Sequence, residues 1–262
     1  MNIFEGLFLG LVQGITEFVP VSSSGHLVIF QNLFGLIPDH MFIEFINFGT
    51  LLALLYYFRH KIRKITQDVL VKKDYKLAVN ILITALPAGM TGYLLADFIE
   101  SNSFFSNINV VLFALAIVGI LMIIIEKITR FNKTSELDQI TKRHALAIGI
   151  IQVFSLIPGV SRSGSTIIAG RLLGFNSILS AEYSFLASIP IMIGVALKLL
   201  IKDYNYLLDN ISMVVLSNAF AFVSGLIAIK FLLSILSSRG IAIFGWYRIV
   251  LVFFIILIIN IR

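Results

Sequence analysis

The sequence predicts an all-α integral membrane protein: six transmembrane helices plus two re-entrant helix–loop–helix hairpins in an inverted-topology repeat. Three observations predict it. Of 262 residues, 58% are hydrophobic and only 13% charged, where soluble domains carry about 25% charged residues. Apolar runs such as "VVLFALAIVGILMIII" and "IVLVFFIILIINI" recur along the whole length, each near the roughly 20 residues that a bilayer-spanning helix needs. Two polar breaks interrupt otherwise apolar segments, and the breaks resemble each other. No soluble domain is left over, so residues 1–262 read as a single polytopic membrane domain.

Taken in order, the first element covers residues 3–36 and is broken by "FVPVSSSGH". Proline and glycine beside serines stop a helix. Broken backbone at membrane depth is tolerated only inside protein or beside water. Spans are expected at about 43–58, 77–96 and 109–126 from their length and unbroken apolarity. The fifth element, 145–175, repeats the first pattern, with the break "LIPGVSRSGST". Spans at about 183–201, 213–236 and 244–261 follow. Each broken segment reads most simply as a hairpin that returns to its own side; the alternative is that each half is a complete span.

Shifting the sequence by 139 superposes Gly10 on Gly149, Gln13 on Gln152 and Val21 on Val160. Ser22, Ser24 and Gly25 then meet Ser161, Ser163 and Gly164, with Ser23 opposite Arg162. Repeat one is 1–128 and repeat two 140–262. A hairpin plus three spans is an odd number of crossings, so the second repeat enters from the other side, and the broken segments meet near the midplane.

Loop charge orients the chain. The loop after the first span holds Arg59, Lys61, Arg63, Lys64, Lys72, Lys73 and Lys76; the next holds Asp97 and Glu100 without Lys or Arg; the third holds Lys127, Arg130, Lys133, Lys142 and Arg143. The basic loops belong in the cytoplasm. The net charge of +6 is explained by that rule, and nucleic acid is not an expected partner. The N-terminus does not read as a signal peptide, having Glu5 and no basic region. The absence of cysteine excludes disulfides and thiolate metal sites.

The chemistry sits in the breaks. Glu17, Ser22, Ser23, Ser24 and His26 are expected to face Ser161, Arg162, Ser163, Ser165 and Thr166. A charge at mid-membrane costs about 2.5–3.5 kcal/mol on insertion scales, so each should be paired, hydrated or binding. Arg162 offers fixed donors suited to phosphate or carboxylate. Serine turns that open helices add free N–H groups. Glu17 suits a general base or a ligand for a divalent cation. His26 suits protonating a leaving oxygen or orienting a serine. Plainer readings stand beside these: the serines as helix caps, Arg162 as counterion to Glu17, His26 as a polar turn group. His40, His60 and His144 read as solvated loop residues; Arg171, Lys198, Lys230 and Arg248 as snorkelling; Glu44 and Glu182 as anchors for the spans after each hairpin.

"QGITEFVPVSSSGH" and "PGVSRSGST" resemble the two signature motifs of the undecaprenyl-diphosphate phosphatase family, the bacitracin-resistance type. The first is carried by Gln13, Glu17, Pro20, Ser22, Ser23, Gly25 and His26; the second by Pro158, Gly159, Ser161, Arg162, Ser163 and Thr166. "AEYSFLASIP" and "WYRIVL" extend the resemblance over essentially the whole chain. It implies a multi-pass hydrolase of the bacterial plasma membrane, with its active site open to the outer face. The enzyme would convert undecaprenyl diphosphate to undecaprenyl phosphate and inorganic phosphate, recycling the carrier for cell-wall synthesis and conferring bacitracin resistance. The resemblance further implies a divalent cation, Mg2+ or Ca2+. Glu17, Ser23, His26 and Arg162 form the implied catalytic set, with Ser161 and Thr166 as phosphate contacts; the turn reading adds Ser22, Ser24 and Ser163. Glu17 and Gln13 are the expected metal ligands, with Gln13 standing where many relatives carry Glu. Expected partners are the polyprenyl diphosphate, membrane lipid and a homodimer mate. The rivals are a lipid-carrier flippase using the same cradle and an intramembrane serine protease, which would leave Arg162 unexplained.

Overall fold

The structure is a computed structural model that describes residues 2–36, 39–129 and 134–261. It is all-α, and among the described residues the only β-type contact is an isolated bridge between Thr134 and Phe175. Arg130 and Lys133, counted above in the second basic loop, lie outside the described residues, as do the side chains of His40 and Glu100.

The first broken segment forms α1 (Ile3–Phe18) and α2 (Ser23–Leu33). Asn2 and Glu5 close a capping box at the start of α1. The expected span at 43–58 is divided: α3 (His40–Phe45) precedes α4 (Asn47–Tyr57). The basic stretch after it is not a loop but a helix, α5 (Arg59–Leu70), bent by 70° from the helix before it. Ile62 and Ile65 pack on the core, while Arg59, Arg63 and Lys64 are exposed. That one-sided pattern was masked by the density of cations. Next come α6 (Lys76–Leu94), α7 (Ala96–Ser101) and α8 (Ile108–Ile128). The second broken segment forms α9 (Lys142–Val153), a short 3₁₀ turn, and α10 (Arg162–Leu172). Then follow α11 (Ser177–Lys202), α12 (Tyr204–Asp209), α13 (Ile211–Arg239) and α14 (Ala242–Ile261).

By length and composition α6, α8, α11 and α13 can cross a membrane; the bent pair ending in α5 makes a fifth only if counted as one span. Among the described residues α14 is apolar over the shorter stretch Ala242–Ile258. At 1.5 Å per residue, α2 is about 16 Å long, roughly half the hydrocarbon core of a bilayer.

Packing follows an exchange rule. Helix α1 packs chiefly on α13, and α9 chiefly on α6; α4 packs on α13, and α11 on α6; α8 and α14 pack on each other. Exchanging α1, α4, α6 and α8 for α9, α11, α13 and α14 maps these contacts onto themselves. The helices meet backbone to backbone at matched glycines. A Cβ on Gly10 would collide with the Ser217 carbonyl, and one on Gly149 would lie 2.8 Å from the Thr84 carbonyl oxygen. Gly10→Val is therefore expected to push α1 off α13 and to destabilise the protein by about 1–3 kcal/mol, the usual cost of overpacking. An unchanged thermal midpoint in detergent would show that the helices part freely.

Two arginines assigned above to snorkelling are buried instead. Arg171 is 3% exposed and donates to the carbonyls of Phe175 and Thr129 and to Glu126. Arg248 is 0% exposed. Its position near the start of α14 would have let it reach an interface, but backbone carbonyls inside the fold take up its donors. Lys230 and His60 are exposed, as expected. His144 is half-buried and closes a capping box with Thr141. Glu182 anchors its helix to the basic end through Lys61 at 2.6 Å.

Candidate active site

The two breaks fold alike. In each, a serine with positive φ ends the break and caps the next helix: Ser22 at φ 74 and Ser161 at φ 77. A non-glycine residue in this region is strained by about 1–3 kcal/mol, and such strain clusters at functional sites. The Ser22 hydroxyl accepts from the Gly25 N–H at 3.4 Å, and the Ser161 hydroxyl from Gly164 at 3.0 Å. Each hydroxyl also lies near the serine two residues on, at 3.3 Å for Ser24 and 3.2 Å for Ser163. Gly159 has φ 96, and a Cβ there would lie 2.5 Å from the Val111 carbonyl oxygen, so only glycine lets this turn approach α8.

One side chain ties the breaks together. Arg248 donates from Nε to the Pro20 carbonyl at 2.9 Å, from Nη1 to Gly159 at 3.0 Å and from Nη2 to Val160 at 3.2 Å. Its five donors suit a set of carbonyls left without helical partners by the proline and glycine breaks.

The polar centre lies where the breaks meet. Arg162 Nη2 donates to Glu17 Oε1 at 2.7 Å. The Ser23 hydroxyl donates to Glu17 Oε2 at 2.6 Å. Gln13 Nε2 donates to the same oxygen at 3.0 Å and also to Asn47 Oδ1. Both members of the ion pair are largely but not wholly buried, at 17% and 14% side-chain exposure, so water reaches them. Arg162 Nη1 is buried and makes no hydrogen bond, leaving donor capacity on the guanidinium. This group lines a cavity of about 260 Å³ together with Ser24, Glu44 and Asn47, walled by Phe48, Ile191 and Met192.

The other expected residues are placed differently. His26 does not line this cavity. Its Nδ1 lies 2.8 Å from the Ser22 carbonyl and its Nε2 2.8 Å from the Tyr247 hydroxyl. Since a carbonyl only accepts, Nδ1 carries a proton, and the Tyr247 hydroxyl, able to donate or accept, serves Nε2 in either state of the ring. Ser163 reaches the Glu17 carbonyl at 3.3 Å. Thr166 is turned to the Arg162 carbonyl at 2.9 Å and to Ser184 at 2.5 Å, and Ser165 to the Arg162 carbonyl at 2.9 Å. Ser22, Ser161, Ser163, Ser165 and Thr166 thus hold the turns and do not open on the cavity. Sequence reasoning missed Asn47 and Arg248. Asn47 is a lone polar residue at a helix start, with no signal of its own. Arg248 was visible only as a charge near one end of an apolar helix.

The donors around the cavity are hard oxygens: the carboxylates of Glu17 and Glu44, the amides of Gln13 and Asn47, and the hydroxyls of Ser23 and Ser24. No group of three or more His, Cys, Asp or Glu able to hold an ion occurs among the described residues. Oxygen donors of this kind are the ones that Mg2+ and Ca2+ take, Mg2+ with few protein ligands.

The model described as bacitracin resistance protein BacA matches residues 6–254. The chain is 39% identical over 251 residues to an undecaprenyl-diphosphatase of Halothermothrix orenii, covering 94% of each chain. It is 38% identical over 259 residues to undecaprenyl-diphosphatase 1 of Clostridioides difficile, covering 96% of this chain and 94% of the relative. With an undecaprenyl-diphosphatase of Enterococcus faecalis it shares 34% identity over 270 residues, covering 98% and 97%.

Proposed function

The chain belongs to the bacitracin resistance protein BacA family, and from that premise we propose that it is a multi-pass membrane enzyme that hydrolyses undecaprenyl diphosphate to undecaprenyl phosphate and inorganic phosphate. That activity returns the lipid carrier to cell-wall synthesis and removes the target of bacitracin. The observation that carries the mechanism is the Ser23 hydroxyl donating to a carboxylate that Arg162 holds from its other side.

Arg162, whose guanidinium lines the cavity and keeps an unused donor on Nη1, binds the diphosphate. The Ser23 hydroxyl attacks the terminal phosphorus and Glu17 takes its proton. The Oγ–P bond forms, the bond to the bridging oxygen breaks, and undecaprenyl phosphate leaves with that oxygen. Water then attacks the phosphoserine, inorganic phosphate departs, and Glu17 returns its proton to Ser23. His26, held by Tyr247, orients the Ser22–Ser23 turn through the Ser22 carbonyl. Glu17 and Gln13 would hold a divalent cation, which when bound would offset the negative charge of the diphosphate.

The inverted-repeat reading is supported by the exchange of helix contacts, by the matched serine caps and by the shortness of α2. An outward-facing site is supported by its lining. The cavity borders the start of α4 and the later part of α11, the ends away from basic α5 and Lys127. A flippase would need the guanidinium but has no use for a hydroxyl donating to a carboxylate.

The test is phosphate release by the purified protein, with an acid quench using substrate labelled at the terminal phosphate. We expect label on Ser23 in the wild type and none in Ser23→Ala. Full turnover without labelled serine would assign the attack to water. Chelation is expected to stop release and added Mg2+ or Ca2+ to restore it; release that ignores chelator would remove the cation from the scheme.

A further inference from the structure

We propose that the apolar groove between α6 and α11 is the seat of the substrate's prenyl chain next to the diphosphate, a reading that rests on the hydrolysis proposed above. The groove encloses about 630 Å³, within the range of about 300–1,000 Å³ usual for small-molecule sites. Its walls are apolar apart from Glu44, Lys198 and the hydroxyl of Tyr93, with Ala96 and Ile99 contributed by α7 and Leu156 by the turn before α10.

Continuity decides the occupant. Glu44, Ile191 and Val195 line both this groove and the polar cavity. A diphosphate whose terminal phosphorus sits at Ser23 must carry its chain out of that cavity, and the shared wall leads directly into an apolar channel. A prenyl chain entering it exchanges lipid neighbours for packed protein surface, so its gain is van der Waals contact rather than removal from water. The volume accommodates only the first part of a long polyprenyl chain, so the remainder extends into the bilayer. Prolines lie inside both helices that form the walls, Pro87 in α6 and Pro190 in α11; each removes a helix hydrogen bond. Room for a ligand is open at two wall glycines: a Cβ at Gly89 or at Gly194 would meet nothing within 4 Å.

The experiment compares kcat/KM for undecaprenyl diphosphate and for a short-chain prenyl diphosphate, in wild type and in Gly89→Leu and Gly194→Leu. Leucine favours the helix and fills the groove without a backbone clash. The long-to-short ratio is expected to fall by about tenfold or more, the scale of an apolar pocket obstructed by a few carbons. An unchanged ratio with both substrates turned over would overturn the groove. Wild-type protein that hydrolyses neither substrate would instead overturn the hydrolase reading. A second measurement stands whether or not the leucine variants fold. The chain has no cysteine, so Gly194→Cys offers a unique thiol. Undecaprenyl phosphate at ten times its Kd should slow maleimide labelling of that thiol about tenfold by occupancy, with phospholipid at equal concentration having no such effect. Equal protection by both lipids would show that the groove holds bulk lipid and would overturn the proposal.

Discussion

Glu17→Gln is expected to lower hydrolysis of undecaprenyl diphosphate by about 10³-fold, within the 10²–10⁴ range for a positioned general base. Glutamine keeps the volume and can still accept from Arg162, so the loss should fall on kcat rather than on KM. Stability should drop far less than activity. The Arg162 side chain retains 17% exposure, so water can compensate part of the missing charge. Ser23→Ala should lose a similar factor. The double variant should lose little more than either single one, because a nucleophile and its base act as a unit. Phosphate release by steady-state assay checks all three. Activity of Glu17→Gln within tenfold of wild type would remove the carboxylate from the proton transfer and leave the Glu17–Arg162 pair as architecture.

Arg248→Met is expected to be the most damaging change outside the cavity. Methionine fills the space but strands the carbonyls of Pro20, Gly159 and Val160, each of which now accepts from the guanidinium. An unsatisfied buried group costs about 1–3 kcal/mol, so the sum should reach about 3 kcal/mol or more. Activity should fall beyond what stability explains. The three carbonyls lie in the breaks that carry Ser23 and Arg162, and a 1 Å misplacement can cost about 10²-fold. Arg248→Lys should fall between, since a single ammonium cannot span three carbonyls drawn from two turns. Thermal unfolding in detergent and phosphate release measure the two effects separately. A wild-type midpoint for Arg248→Met would show that the carbonyls find other partners and that the side chain merely fills space.

The two breaks, the matched serines and the meeting of Glu17 with Arg162 were legible in the sequence. They follow from local chemistry: helix breakers inside apolar runs, a repeat offset, and the high cost of a lone charge in hydrocarbon. Ser23 was singled out only by the resemblance to the family motif and by its place opposite Arg162 in the repeat. The orientation of the remaining hydroxyls was not legible, because a serine at a helix start serves equally as a cap or as a ligand; Ser22 and Ser161 cap their helices. Arg248 was misread because its partners are main-chain carbonyls 228 and 89 positions away, which leave no trace in residue type. Helix α5 was hidden because its apolar face amounts to little more than Ile62 and Ile65 among cations. The placement of His26 against Tyr247 depends on a contact spanning 221 positions, beyond the reach of any local pattern.

The Glu17–Arg162 pair also constrains how such a protein can diverge. Each charge compensates the other in a largely buried site, so removing one partner leaves the other short of its counterion, at a cost that the water reaching the pair reduces but does not abolish. A lineage that loses the acid first, or the base first, passes through a variant weakened in folding as well as in chemistry. Drift at these two positions is therefore coupled: they should be inherited together, or be abandoned together when the ancestral trade in phosphate is given up.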